Sequence, residues 1–354
     1  MMKNVRHLIA LAVTLAIAAC SQGEANKETA EGAAKAATGA LNVYSSRHYD
    51  ADLQLYKAFT DETGIKVNLI EADADALIAR IKSEGEFSPA DILLTVDAGR
   101  LWRAEEAKIL SPVDSTILAE RIPAEFSHPQ KLWYGFSTRA RIIIYNKAAG
   151  LPAPLADYAD LANPAHKGKI CMRSSSNIYN VSLLASVISH EGAPAAEAWT
   201  KGVVANFARG PEGNDTSNIE SVASGVCPIS IVNSYYLARF MASEDPAMHK
   251  VAEGVAVVFP NQAGRGTHVN ISGGGVPVHA PNRANAVKFL EFMSSDTAQS
   301  ILTNGNHEYP VVAGVALDAA INKLGTFKRD ALDVSQLGVN QTEAVQIFDR
   351  AGWN

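Results

Sequence analysis

Two adjacent tyrosines, Tyr235 and Tyr236, follow an apolar run from Pro228 to Val232 that reads as a strand. His48 and Tyr49 stand in the same relation to a first short strand, Leu41 to Tyr44. A phenol ionises only near pH 10, so a lone tyrosine is a poor ligand at neutral pH. A bound cation reverses this by stabilising the phenolate. Phenolate oxygen is a hard, anionic donor suited to a small, highly charged cation. A regular strand sends adjacent rings to opposite faces, so a loop after Val232 has to turn both rings towards one point. The ends of strands are also where open α/β sheets bind small partners. Each feature has a plainer reading: packing at a loop for Tyr235-Tyr236, surface or core for His48-Tyr49, and a helix-start aromatic for Tyr179.

Other motifs carry less chemistry. Ser174-Ser175-Ser176 reads as hydroxyls capping a helix, with a bound anion as the alternative. Gly273-Gly274-Gly275 lacks the Lys-Ser/Thr of a P-loop and the second glycine pair of a dinucleotide fingerprint, and reads as a close-approach segment beside a hinge. His190-Glu191 and His307-Glu308 lack the second histidine of a zinc-protease helix. Asp73 and Asp75 open like a calcium loop but lack its glycine and closing glutamate. No nucleophile stands with a base, so the chain is not read as an enzyme.

The elements that must position these residues alternate. Strand-like runs are Leu41 to Tyr44, Lys66 to Ile70, Asp91 to Val96, Ile142 to Tyr145 and Pro228 to Val232. Helical spacing appears over Asp50 to Phe59, Ala74 to Lys82, Val181 to Ile188, Ala195 to Phe207 and Asn285 to Met293. The alternation predicts an α/β fold on a mainly parallel sheet.

The N-terminus reads as a bacterial lipoprotein signal. Lys3 and Arg6 precede an apolar run too short to span a bilayer, which ends in Ile17-Ala18-Ala19-Cys20. Residues 1–19 are expected to be removed and Cys20 to be lipidated, which anchors the chain to a membrane surface. The Ala, Gly, Glu, Lys and Thr of residues 20–40 read as a disordered tether with a reach of roughly 25 Å. The whole sequence is 47% hydrophobic and 19% charged, a globular balance. A net charge of −6 without a basic stripe argues against nucleic acid. With Cys20 set aside, Cys171 and Cys227 are an even pair in an oxidising compartment and are expected to bridge; two buried thiols are the alternative.

Several segments, in order, resemble the periplasmic iron(III)-binding proteins of ABC transporters. They are Ser45-Ser46-Arg47-His48-Tyr49-Asp50, Ser88-Pro89-Ala90-Asp91, Arg139-Ala140-Arg141 running into Ile144-Tyr145-Asn146, and Ser174 to Asn180. Asn233-Ser234-Tyr235-Tyr236, Asn270 to Gly275 and Glu308-Tyr309-Pro310-Val311 complete the series, which covers about residues 41–315. The pattern is most similar to the tyrosine-rich cyanobacterial-type subgroup.

That resemblance implies a two-lobed, type II periplasmic binding protein with hinge strands and a central cleft. The expected lobes are 41–142 with 272–303, and 143–271 with 304–354. It implies that His48, Tyr49, Tyr179, Tyr235 and Tyr236 bind the metal. Arg239, and also Arg47, Arg139 and Arg141, are expected to balance the phenolate charge behind them. A second branch of the family uses a carboxylate and an exogenous phosphate; the carboxylate position corresponds to Val96, which cannot ligate, so no obligatory anion is expected. The implied cargo is ferric iron, with ferrous iron as a further candidate. The implied partners are an inner-membrane permease and the membrane holding the anchor, and the chain is expected to be a monomer. A small organic cargo on the same fold is the alternative, and a non-haem iron enzyme the third reading.

Overall fold

The computed structural model describes residues 39–151 and 153–354. The signal segment, Cys20 and the tether as far as residue 38 lie outside the described residues. The strands are β1 (Ala40–Ser45), β2 (Lys66–Glu71), β3 (Ile92–Val96), β4 (Leu110–Ser111), β5 (Tyr134–Asn146), β6 (Ile170–Cys171), β7 (Ile229–Asn233), β8 (Val255–Val258), β9 (Val269–Pro277) and β10 (Tyr309–Pro310). They pair in the order β2-β1-β3-β9-β5-β7-β6, with β4 on β9 and both β8 and β10 on β5.

The sheet is mixed, not mainly parallel. Parallel pairing is confined to β1 with β2 and β3, and to β6 with β7. Every pairing of β5 and β9 is antiparallel. These two long strands lie between the parallel groups and run opposite to each other, β9 against β3 and β5 against β7, which strand–helix alternation alone could not show. β5 serves two neighbourhoods: Tyr134 to Ala140 pairs with β9, and Arg141 to Asn146 pairs with β7 and β8.

Glycine at 274 answers to close approach. β9 lies between β3 and β5, and a Cβ on Gly274 would sit 2.6 Å from the Leu93 carbonyl oxygen. A side chain there would push the two backbones apart.

Apolar packing forms separate clusters. One gathers Leu41, Val43, Phe59, Leu93, Leu101, Ile271, Phe289 and Leu302. Others gather Ile143, Tyr179, Leu184, Ile231 and Phe348, and Ile142, Ile144, Val232, Leu237 and Phe240. Val96, the last residue of β3, joins the second cluster although Ile92 to Leu94 belong to the first.

The helices end within about a turn of the expected bounds, and Ala193–Ala205 is shifted two residues towards the N-terminus from the expected Ala195 to Phe207. Asp50–Thr63 stops at Gly64, whose φ of 71° is the left-handed cap that glycine adopts freely. The others are Ala74–Glu84, Ile178–Glu191, Ala193–Ala205 and Arg283–Met293. Cys171 and Cys227 are joined by a disulfide, with Cα atoms 5.8 Å apart, tying the end of β6 to the segment entering β7. Among the described residues, no helix is long and apolar enough to cross a membrane.

Candidate metal centre

Four tyrosines meet at the N-termini of helices. Tyr49 is the residue before the helix Asp50–Thr63, and Tyr179 is the second residue of Ile178–Glu191. Tyr235 and Tyr236 lie in the first turn of Ser234–Ala242. The turn after Val232 is therefore made by a helix and not by a loop: β7 ends at Asn233 and helical geometry begins at Ser234. A helix N-terminus carries partial positive charge and favours an anionic oxygen.

The phenols are close. The Tyr179 and Tyr235 hydroxyl oxygens are 3.4 Å apart. The Tyr235 and Tyr236 rings stack with centroids 4.3 Å apart, and Tyr49 meets Tyr235 edge-on at 6.4 Å.

Guanidinium groups surround them. Arg239 follows on the same helix at the i,i+3 and i,i+4 spacings that share a face. Its guanidinium carbon lies 4.9 Å from the Tyr49 ring centroid, 5.0 Å from Tyr235 and 5.5 Å from Tyr236. Arg47 lies 5.0 Å from the Tyr49 ring. Arg139, Arg141 and Arg173 lie 6.0, 5.9 and 5.4 Å from the Tyr179 ring.

Without a cation Tyr49, Tyr235 and Tyr236 hold their protons tightly. Burial pushes Tyr235 well above its ordinary pKa, Tyr179, Tyr49 and Tyr236 add to the rise, and Arg139 opposes it. Burial also raises Tyr49 and Tyr236; Tyr179 adds in both cases, Glu308 in the first and Asp215 in the second. These three phenols are thus neutral and become anionic only if something positive replaces their protons.

A family model described as bacterial extracellular solute-binding protein matches residues 54–329. The chain belongs to the bacterial extracellular solute-binding proteins. It is 53% identical over 313 residues to iron uptake protein A1 of Synechocystis, covering 88% of this chain and 87% of the relative. A solved structure of the Trichodesmium protein IdiA (FutA), in complex with iron and citrate ligands, is 56% identical with a TM-score of 0.86, over 89% of this chain and all of that one. The ferric binding protein of Campylobacter jejuni is 42% identical with a TM-score of 0.85 over the same share. The fold is that of the two-lobed periplasmic binding proteins.

In this solute-binding protein His48 stands apart from the phenols. Its neighbours Arg47 and Tyr49 turn inward, so His48 turns outward, exposed, with Nδ1 3.5 Å from Glu71 Oε1. The Ser174 to Ser176 hydroxyls do not cap the following helix. Its N-cap is Asn177, Ser174 and Ser176 bond each other at 2.8 Å, and the Asn180 amide holds the segment by donating to the Arg173 and Ser174 carbonyls.

The sequence reading missed the carboxylates behind the arginines. Asp215 is fully buried; it accepts from Arg141 at 2.8 Å and the Asn233 backbone N–H at 2.8 Å, and it pairs with Arg173 at 3.3 Å. Arg173 itself was not singled out. Asp52 pairs with Arg47 through two bonds of 2.9 Å. Glu308 accepts from Ser137 at 2.9 Å and Ser272 at 3.0 Å and faces Arg47 at 3.4 Å. The capping box of Asn214 and Ser217 around Asp215 marks a helix start but carries no sign that the acid is buried. Arg139 differs from its neighbours. It is buried, and its three guanidinium nitrogens have no hydrogen-bond partner among the described residues.

Proposed function

We propose that this protein captures ferric iron through Tyr49, Tyr179, Tyr235 and Tyr236 and delivers it to an ABC permease. The observation that carries the reading is the cluster itself: phenols converging on one point, each at a helix N-terminus, with Arg239 against three of the rings. Hard phenolate oxygens suit iron(III), and the surrounding arginines offset the negative charge that several phenolates leave. The relatives named iron uptake and ferric binding proteins support the same cargo. His48 joins the ligand set only by turning away from Glu71.

The proposed lobes are 41–142 with 272–303, and 143–271 with 304–354. The separate apolar clusters favour such a division, although Val311, Val312, Val334 and Leu337 pack with the first cluster. Tyr49 then belongs to one lobe and the other tyrosines to the second, so closure completes the site. We further propose that the protein works as a periplasmic monomer lipidated at Cys20, with no enzymatic turnover and no obligatory anion. The test is metal content with the visible spectrum after native purification, since iron–phenolate centres are coloured. A colourless protein that retains an organic molecule would replace iron by that cargo.

A further inference from the structure

We infer that Asp97 is a positioning residue of the iron site: through Ser182 it fixes the helix that carries Tyr179 against the end of β3. The inference rests on the phenolate reading above.

Asp97 is a backbone outlier. Its φ is 82° with ψ 123°, outside the small left-handed region that non-glycine residues tolerate. Such a conformation costs about 1–3 kcal/mol and persists only where the surroundings hold it. Here they do. The Asp97 N–H donates to the Ile271 carbonyl at 2.8 Å, and the next N–H, of Ala98, donates to Asn270 Oδ1 at 2.9 Å. The twist stops β3 at Val96 and turns the carboxylate inward, where it is fully buried. Oδ1 accepts from the Gly99 N–H at 2.9 Å and from Ser182 Oγ at 2.6 Å.

Ser182 is also fully buried and lies one helical turn after Tyr179, on the same face. The helix is buried from Ile178 to Ile188, but apolar contact is non-directional and does not by itself fix how far the helix slides. A short bond from Ser182 to a carboxylate held by a rigid backbone does. It joins the end of β3, whose Ile92 to Leu94 pack in one apolar cluster and Val96 in the other, to a helix packed in the second cluster. Tyr179 brings its hydroxyl within 3.4 Å of Tyr235, a separation that a small slide of the helix would spoil. Asn180, on the same turn, ties the helix to Arg141 at 2.8 Å and so to the Tyr235 side. Ser182 supplies the tie to the β3 side.

The experiment measures the rate of iron loss to excess EDTA, together with the phenolate band, in Ser182→Ala, Asp97→Asn, Asp97→Ala, Tyr179→Phe and Ser182→Ala/Tyr179→Phe. Ser182→Ala is expected to speed iron loss about tenfold and to weaken the band, as does Asp97→Ala where it folds. Asp97→Asn keeps an oxygen acceptor for Ser182 and the Gly99 N–H, so it should stay near the wild-type rate. With Tyr179 already replaced, Ser182→Ala should add no further acceleration. Wild-type rate and band in Ser182→Ala would overturn the inference, as would equal acceleration with and without Tyr179, which marks general loosening. If Tyr179→Phe alone keeps the wild-type rate and band, the phenolate reading fails first and the inference falls with it.

Discussion

The hydroxyl oxygens of Tyr179 and Tyr235 lie 3.4 Å apart, although the residues are 56 positions apart and belong to different helices. Both are buried, and Tyr235 stacks on Tyr236. Burial, with the neighbouring Tyr179, Tyr49 and Tyr236 phenols, pushes Tyr235 well above its ordinary pKa and keeps it neutral until a cation arrives.

Replacing Tyr235 or Tyr236 by Phe keeps the ring and its packing while removing the oxygen. Each variant is expected to lose most of the visible band and to bind iron more than about 100-fold more weakly. Thermal midpoints should stay close to wild type. Metal stoichiometry with the spectrum decides: a full iron complement and an unchanged band in both variants would end the phenolate reading.

The α/β class and the helices that follow Tyr49 and Tyr179 were legible because they depend on apolar periodicity, a local pattern, whereas the helix Ser234–Ala242 stands where a loop was expected. The reversed direction of β9 was not, because partner choice between distant strands leaves no local trace. Arg47 and Arg139 stood out only through the family resemblance. Their partners Asp52 and Glu308 did not, since nothing in a sequence says which of its acids is buried. His48 shows the reverse: the sequence placed it with Tyr49, but its imidazole is exposed towards Glu71 while Tyr49 packs against Tyr235.

Glu308 should matter for stability more than for ligation. Burial alone raises its carboxyl, but Arg47, Arg139 and the Ser137 and Ser272 hydroxyls outweigh that and hold it below the usual range. Glu308→Ala leaves Arg47 with less compensation and removes the charge that most favours the buried Arg139 guanidinium, and is expected to cost about 3–5 kcal/mol. Glu308→Gln keeps an acceptor for both serines and should cost less. A depressed carboxyl stabilises above its unfolded pKa of about 4.3, and that contribution is lost as pH falls through the lower folded value. Urea unfolding of the iron-free protein measures both effects; equal stability of Glu308→Ala and wild type at neutral pH would contradict them.

His268 should make stability fall in mild acid. Burial first, then Arg141, Arg265, Arg139 and His190, lower its pKa to about 3. An unfolded histidine titrates near 6.5, so between about 6.5 and about 3 the unfolded chain binds the extra proton. Stability should therefore drop by up to about 1.4 kcal/mol per pH unit over that window. In His268→Gln the slope should flatten by the same amount, measured by urea unfolding from about pH 7 to about pH 5. An unchanged slope would show that other groups dominate.

Opening the disulfide should separate stability from binding. Cys171 and Cys227 close a loop with a sequence separation of 56, and replacing both by Ala is expected to cost about 2–4 kcal/mol. The bridge lies at the entry to β7 while the tyrosines follow its exit, roughly 20 Å further along the chain. The iron band should be unchanged, and a lost band in a folded variant would mean that the bridge shapes the site.

Iron loading should expel protons. Tyr49, Tyr235 and Tyr236 all hold their protons above the ordinary phenol range, chiefly because they are buried. At neutral pH they enter the site protonated, so each phenol that binds iron must release one proton. Affinity should then rise steeply with pH, by about tenfold per unit for every proton released, and iron should be lost as the pH falls. Titrating unbuffered apoprotein with a soluble ferric chelate, against a blank of the chelate alone, counts those protons. Arg239→Ala removes the guanidinium that faces three of the rings. It should leave the proton count intact, because the same oxygens bind, while weakening iron about 10–100-fold through uncompensated charge. Arg239→Lys, which restores a point charge without the planar contact, should recover part of that loss. Full iron binding with no proton released would show that the phenols are not the ligands, whatever their spacing.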